Sequence, residues 1–211
     1  PCGAVFISMA SIMRLQRHSI RLPGYDYSQG GMYFVTLCCQ NRQHRFGSVS
    51  DGVMHLNEFG QAAHDLWYQR LDQLQLPTQH PMQIMPNHLH GIIELPLRNR
   101  AGANPAPAFG NANGNNVGAT LAVARNGVVD RAGASPAPTL GDVVGAYKSM
   151  LMQICLDLCR ERQVTLGRFW QRNYYEHIIR DADDHNRIHL YIESNPSMWE
   201  EDEENPNLIT K

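Results

Sequence analysis

Two imidazoles, a phenol and a carboxamide are the groups in this chain whose types and spacing suggest chemistry. His88 and His90 flank Leu89 in the segment MQIMPNHLHGIIEL at 82–95. On a strand, side chains alternate across the sheet, so both imidazoles face one way and Leu89 the other. Paired imidazoles make half of a metal site, although the same pattern also serves plain packing on a buried strand. Several metal chemistries are excluded by what is missing. A third histidine two residues on is replaced by Ile92, no His-Glu-x-x-His occurs, and no His-x-Glu is followed by Pro-Cys-x-x-Cys. Further along, Tyr191 and Asn195 stand four apart, one helical turn from each other on one face. A tyrosine hydroxyl can attack phosphorus and hold a covalent phosphoryl link. Its reference pKa of about 10 means that it needs assistance, which a cation bound to the phosphate supplies. An asparagine carbonyl one turn away suits the role of third ligand. A core aromatic at helical spacing is the competing reading of Tyr191, and the residues alone leave both open.

The elements that must position these groups are legible from periodicity. GMYFVTLCC at 31–39 is rich in β-branched and aromatic residues and reads as a buried strand. Asp51-Gly52 between short apolar runs signals a hairpin. Asn57 reads as the N-cap of a helix to about Leu76, with Phe59, Ala63, Leu66, Trp67, Leu71 and Leu74 on its apolar face and Pro77 beyond its end. Residues 82–95 read as a strand broken at Pro86 by a bulge or an edge position. A helix is expected over 140–162, its stripe running from Leu140 through Val143, Val144, Tyr147, Leu151 and Ile154 to Leu158. GRFWQRNYYEHIIR at 167–180 reads as a strand. A last helix, capped by Asp181 or Asp183, runs to about Ser194 and stops at Asn195-Pro196. The order β, β-hairpin, α, β, α, β, α fits an α+β sandwich with helices packed on one sheet.

Residues 98–138 break the pattern. They are dominated by Ala, Gly, Asn and Pro, and AGANPAP (101–107) returns as AGASPAP (132–138). Such composition buries too little apolar area to order itself, so the segment reads as a flexible low-complexity insertion, its paired copies pointing to a translated DNA repeat.

The motifs MPNHLHGII, FWQRNYYEHIIRD and YIESNP, in that order, resemble the REP-associated tyrosine transposases, a group of HUH single-tyrosine transposases. The segments YDYSQGGMYFVTLCCQNR and LGDVVGAYKS extend the resemblance to roughly 21–97 and 139–199. The resemblance implies a ferredoxin-like α+β sandwich with an antiparallel sheet. It implies Tyr191 as nucleophile, and His88, His90 and Asn195 as ligands of Mg²⁺ or Mn²⁺. The implied reaction is cutting of single-stranded DNA near REP-type hairpins through a 5′-phosphotyrosine intermediate, by a monomer or a homodimer in the bacterial cytoplasm at the nucleoid. It divides the chain into an N-terminal extension (1–20), one transposase domain (21–199) interrupted at 98–138, and an acidic tail (200–211).

Composition neither demands nor forbids this. Hydrophobic residues make up 43% of the 211 residues, enough for a sizeable core, and no apolar run is long enough to span a membrane. Five cysteines without a Cys-x-x-Cys pair argue for a reducing compartment, with Cys155 and Cys159 as small buried residues on a helix. Net charge is −2, but EEDEE at 200–204 carries five of the acids. That run reads as a solvated tail, and without 200–211 the body is weakly basic.

Candidate phosphate contacts are Lys148 first, then Arg42 and Arg172, with Arg45, Arg168 and Arg180. Trp170 is placed either to stack on bases or in the core. Tyr174 and Tyr175 are rival nucleophiles on a predicted strand, and His177 is a further neighbour of the family-like segment. The remaining histidines, among them His80, His185 and His189, read as structural or surface. Two other functions stay in play: a hairpin-binding protein that does not cut, and a metal-dependent hydrolase, which lacks an evident carboxylate beside His90 to act as base.

Overall fold

The computed structural model describes residues 30–96 and 138–208, so the extension at 1–20 and nearly all of the insertion at 98–138 lie outside the described residues. The first strand, β1 (Gly31–Cys38), is the second-from-edge strand of a four-stranded antiparallel sheet. After a short 3₁₀ turn come the hairpin strands β2 (Gly47–Ser50) and β3 (Val53–Leu56), then helix α1 (Glu58–Gln73), β4 (Met82–Ile84) and β5 (His88–Leu95). Helix α2 (Leu140–Glu161), β6 (Tyr175–Ile179), helix α3 (Ala182–Ser194) and a 3₁₀ helix (Asn195–Glu201) follow. The sheet order is β4-β5-β1-β6. Without the β2–β3 hairpin and α3 this is βαββαβ with the order of a ferredoxin-like sandwich, so the expected α+β class holds.

Local chemistry explains most of the boundaries. Asn57 caps α1 by accepting from Gly60 N, Thr139 and Asp142 form a reciprocal capping box on α2, and Asp181 caps α3 by accepting from Asp184 N. Asp51 and Gly52 both take positive φ at the β2–β3 turn, as the tight hairpin requires.

Three expectations are corrected. Residues 82–95 are two strands rather than one interrupted strand: Ile84 pairs with Leu89 and Met82 with Gly91, so Pro86-Asn87 is a hairpin turn. Proline suits that turn because its missing N–H takes no part in a ladder, while its carbonyl accepts from Arg45 N and Phe46 N. Of the segment 167–180 only Tyr175–Ile179 is a strand, and Trp170 makes an isolated bridge to Cys39. Asn195-Pro196 ends the α-helix but not the helical path, because Asn195 stays in the right-handed region and the chain tightens into 3₁₀.

Alternation sorts the sheet into two faces. Tyr33, Val35 and Leu37 of β1, with Leu89 and Ile93 of β5, join the core under α1 and α2. Tyr147 Oη donates to the Ala63 carbonyl at 2.8 Å and its ring meets Trp67 edge-on, tying the two helices together. Phe34, Ile92 and Ile179 point the other way and pack under Ile188 and Ile192 of α3. Helices therefore cover both faces, and α3 packs on the face that carries His88 and His90. Cys155 and Cys159 are buried free thiols, as read from the sequence, and Cys39 is buried and free as well. No described helix is long and apolar enough to cross a membrane.

Gly91 lets α1 approach the sheet. A Cβ there would lie 2.4 Å from Trp67 Cζ2, and Trp67 is only 3% exposed, so the indole has nowhere to retreat. Gly91→Val is expected to destabilise the fold by roughly 1–3 kcal/mol through overpacking, outweighing valine's better strand propensity. Urea unfolding should show a lower midpoint with an unchanged slope; an unchanged midpoint would mean that α1 yields freely.

Candidate metal and tyrosine site

His88 and His90 emerge side by side from the start of β5, opposite Cys38 and Thr36 of β1. Both are buried, at 0% and 3% exposure, so each ring nitrogen needs a partner. The partners form a chain. Asn87 Nδ2 donates to the backbone carbonyls of Arg42 and Glu204, at 3.2 and 2.7 Å, which fixes the amide and turns Oδ1 toward His88 Nδ1 at 2.8 Å. His88 therefore carries its proton on Nδ1 and presents a bare lone pair at Nε2. That lone pair faces His90 Nε2 at 2.9 Å, while His90 Nδ1 lies 2.8 Å from Thr36 Oγ1. With no cation bound, the consistent assignment has Thr36 donating to His90 Nδ1 and His90 Nε2–H donating to His88 Nε2. A hydroxyl can equally accept. Thr36 thus permits the other tautomer of His90, in which both Nε2 lone pairs are available to a metal. Outer partners that set the tautomer in this way are typical of metal-ligating histidines.

Helix α3 brings the phenol. Tyr191 Oη lies 3.3 Å from His90 Nε2, and its ring packs edge-on to both His90 and Phe34. One turn on, Asn195 is 3% exposed, and its Oδ1 is buried without a hydrogen-bond partner among the described residues. A buried unsatisfied carbonyl oxygen costs roughly 1–3 kcal/mol, and a cation would satisfy it.

The acidic run supplies a group that sequence reading missed. The 3₁₀ helix after Asn195 carries the chain back over the site, and the Asp202 side chain, 7% exposed, places Oδ2 3.7 Å from His88 Nε2. Ligand atoms of His88, His90 and Asp202 all lie within 4.8 Å of one another. Glu200, Glu201 and Glu203 are exposed, as a solvated tail would have them, but that expectation is corrected at Asp202 and at Asn205, which is buried and donates to the Trp199 carbonyl. So is the objection that no carboxylate stands beside His90. The signal lay only in the aromatic Trp199 and the amide Asn205 bracketing the acids. Two imidazole nitrogens, a carboxylate and an orphaned amide oxygen fit a small divalent cation.

Burial dominates the electrostatics. It lowers the pKa of His88 to about 3, helped by the nearby Arg42 guanidinium. His90 is also lowered well below its usual value by burial and then by His88, against an opposing effect of Asp202. Tyr191 is pushed up, first by burial and then by Asp202, with Glu203 and Glu204 adding and the Asn195 amide opposing. Both histidines are therefore neutral, ready to bind metal, at pH 7. Without metal, the unfolded chain takes up protons below pH ~6.5 that the folded site refuses. The penalty is absent above that pH and accumulates down to about 3 for His88, with a slope of up to about 1.4 kcal/mol per pH unit for each histidine. Urea unfolding of chelator-treated protein at pH 7, 5 and 4 should show this loss, and His88→Gln should flatten it; parallel curves for the two proteins would contradict the assignment. Asn87→Ala frees the His88 ring and is expected to weaken divalent-metal binding about 10–100-fold, measurable by calorimetric titration. Unchanged affinity would show that Asn87 serves only the turn.

The other sequence candidates scatter. Trp170 is 8% exposed, sits among Phe46, Phe169 and Tyr147, and donates Nε1 to the Lys148 carbonyl. It is a core residue and leaves no face for a base. Lys148 is half-buried, donates to the Gln171 carbonyl at 2.7 Å and lies over the Trp170 ring, so its cation is already engaged. Arg42 borders the site but pairs with Glu204 at 3.2 Å. Arg172 is exposed. Tyr174 packs with the helix-covered core, whereas Tyr175 packs beside Phe34 on the histidine face. His177 bonds Asp184 at 2.8 Å rather than the site.

With this geometry established, comparison with known proteins gives three results. No protein-family model matches the chain. An uncharacterised protein of Haemophilus influenzae is 32% identical over 203 residues, covering 89% of this chain and 92% of its own length. The chain belongs to the same family as that protein. A solved structure of a REP-associated tyrosine transposase bound to a REP hairpin superposes with a TM-score of 0.50 at 17% identity, over 85% of this chain and 74% of the other. At that identity the likeness shows a shared fold, and it is the fold that the motif resemblance implied.

Proposed function

We propose that this protein is a divalent-metal-dependent DNA nickase and strand transferase. It acts on single-stranded DNA beside hairpins of the REP type, with Tyr191 as its nucleophile. The observation that carries the reading is the convergence of a tyrosine hydroxyl, 3.3 Å from His90 Nε2, on a buried His-His-Asp cluster. Two chain segments more than ninety residues apart in sequence supply the parts. The fold neighbour's hairpin-bound state supports the substrate class.

In the cut, Tyr191 Oη bonds to the scissile phosphorus as its proton leaves. The P–O3′ bond breaks, and the departing 3′ oxygen takes up a proton as a free hydroxyl. The DNA 5′ end remains on the tyrosine, and the reverse step rejoins it to another 3′-OH. His88, His90 and Asp202, with Asn195, would hold Mn²⁺ or Mg²⁺. A cation held there would supply charge neutralisation at the phosphate and would favour loss of the Tyr191 proton. Helix α3 holds the hydroxyl beside the ligands, and the Phe34–Ile188–Ile192 packing fixes its height above the sheet.

The test is incubation of labelled single-stranded DNA, carrying a REP-type hairpin with its flanking single strand, with protein and Mn²⁺ or Mg²⁺. A metal-dependent band that keeps its label on a denaturing protein gel supports the proposal. Retarded DNA in native gels without any covalent band would favour the hairpin-binding reading, and cut DNA without a covalent band would favour a water nucleophile.

A further inference from the structure

A second group of imidazoles lies on the flank of α3 away from Tyr191. His185 and His189 are four apart on this helix, so they share one face. His80, just ahead of β4, meets them there: the His80 and His185 rings are 5.7 Å apart, and those of His185 and His189 6.0 Å apart. Each outer ring has one nitrogen turned to a carboxylate. His80 Nε2 lies 2.8 Å from Glu94 Oε2 of β5, and His189 Nδ1 lies 3.5 Å from Glu193 Oε2. The central ring keeps Nε2 buried without a hydrogen-bond partner among the described residues.

We propose that His80, His185 and His189 form a second metal site, for a late first-row divalent ion of the zinc class. Paired histidines at i and i+4 on a helix are an established chelating geometry. A carboxylate on one ring nitrogen directs the other to a metal and raises its basicity: here that leaves Nδ1 of His80 and Nε2 of His189. Imidazole donors select zinc, copper or nickel over the harder ions suited to a site with oxygen ligands. The rings stand wider than a bound ion needs, since histidine nitrogens sit about 2.0–2.1 Å from zinc. Binding would therefore require rotamer changes at His185 and His189, which are only half-buried and so have room to turn. An ion held there fastens α3, and with it the helix that carries Tyr191, to the segment leading into β4.

The test needs no DNA, so it stands apart from the nuclease reading. Full-length protein carrying His88→Ala and His90→Ala, which removes the first site, is titrated with Co²⁺ and followed by visible d–d absorption. The expected result is one equivalent bound, displaced by Zn²⁺, and lost when His185→Gln and His189→Gln are added; His80→Gln should weaken it. No bound cobalt, or binding indifferent to the His185→Gln/His189→Gln pair, would overturn the site. If the first-site variant does not fold by circular dichroism, the wild-type protein is titrated instead. Two equivalents falling to one in His185→Gln/His189→Gln support the proposal; an unchanged stoichiometry refutes it.

Discussion

Tyr191→Phe is expected to abolish the covalent protein–DNA band while leaving the fold and hairpin binding nearly intact. The change removes one oxygen. That oxygen lies 3.3 Å from His90 Nε2 and within hydrogen-bonding reach of the Asn195 amide, and the ring's packing against Phe34 and His90 survives. Loss of stability should therefore stay within about 1 kcal/mol. The chemical loss should be far larger, because phenylalanine has no atom able to bond phosphorus. A fall of at least about 10³-fold in adduct formation, or ~4 kcal/mol of barrier, is the expected reading from a timed denaturing-gel assay. An adduct that persists in Tyr191→Phe would move the nucleophile to Tyr175, which packs on the same face of the sheet beside Phe34. Tyr174 is a poorer substitute because it packs under the helices on the other face.

Much of the site was legible because periodicity is local. Alternation put His88 and His90 on one face without knowledge of the sheet order, and the i, i+4 rule aligned Tyr191 with Asn195. What periodicity does not carry is which face α3 covers; that follows from the burial of Phe34, Ile92 and Ile179 against Ile188 and Ile192. Asp202 was missed because charge runs are ordinarily solvated. Its burial depends on a tertiary event, the 3₁₀ continuation past Pro196 that turns the chain back onto Asn87. Trp170 stayed open between stacking and the core for the converse reason. Aromatic residues beside arginines look like a stacking surface in sequence, but the segment around it runs irregularly along the end of the sheet and inserts the indole into the core. The Pro86 break was read as a bulge or an edge position because two residues of turn are indistinguishable from an interruption until β4 and β5 are seen to pair with each other.

The second large effect is expected at His90. It links the histidine pair to the nucleophile: it contacts Thr36 at Nδ1, and both His88 and the Tyr191 hydroxyl at Nε2. His90→Ala removes a proposed ligand and the group nearest the nucleophile together. Adduct formation should fall at least as far as in Tyr191→Phe, by about 10³-fold or more (~4 kcal/mol), and excess Mn²⁺ should not restore it. Unlike Tyr191→Phe, this change should also disturb the fold. It empties space beneath α3 and leaves His88 Nε2 and Thr36 Oγ1 without their partner in a buried setting, at a cost of roughly 1–3 kcal/mol. His90→Gln serves as the control, since its amide can still meet Thr36 and keeps most of the volume. Calorimetric titration with Mn²⁺ separates the two causes. If His90→Gln regains stability but neither activity nor metal affinity, the imidazole acts as a ligand. If it regains activity as well, His90 serves to hold α3 in place, and the divalent cation must be bound by other residues.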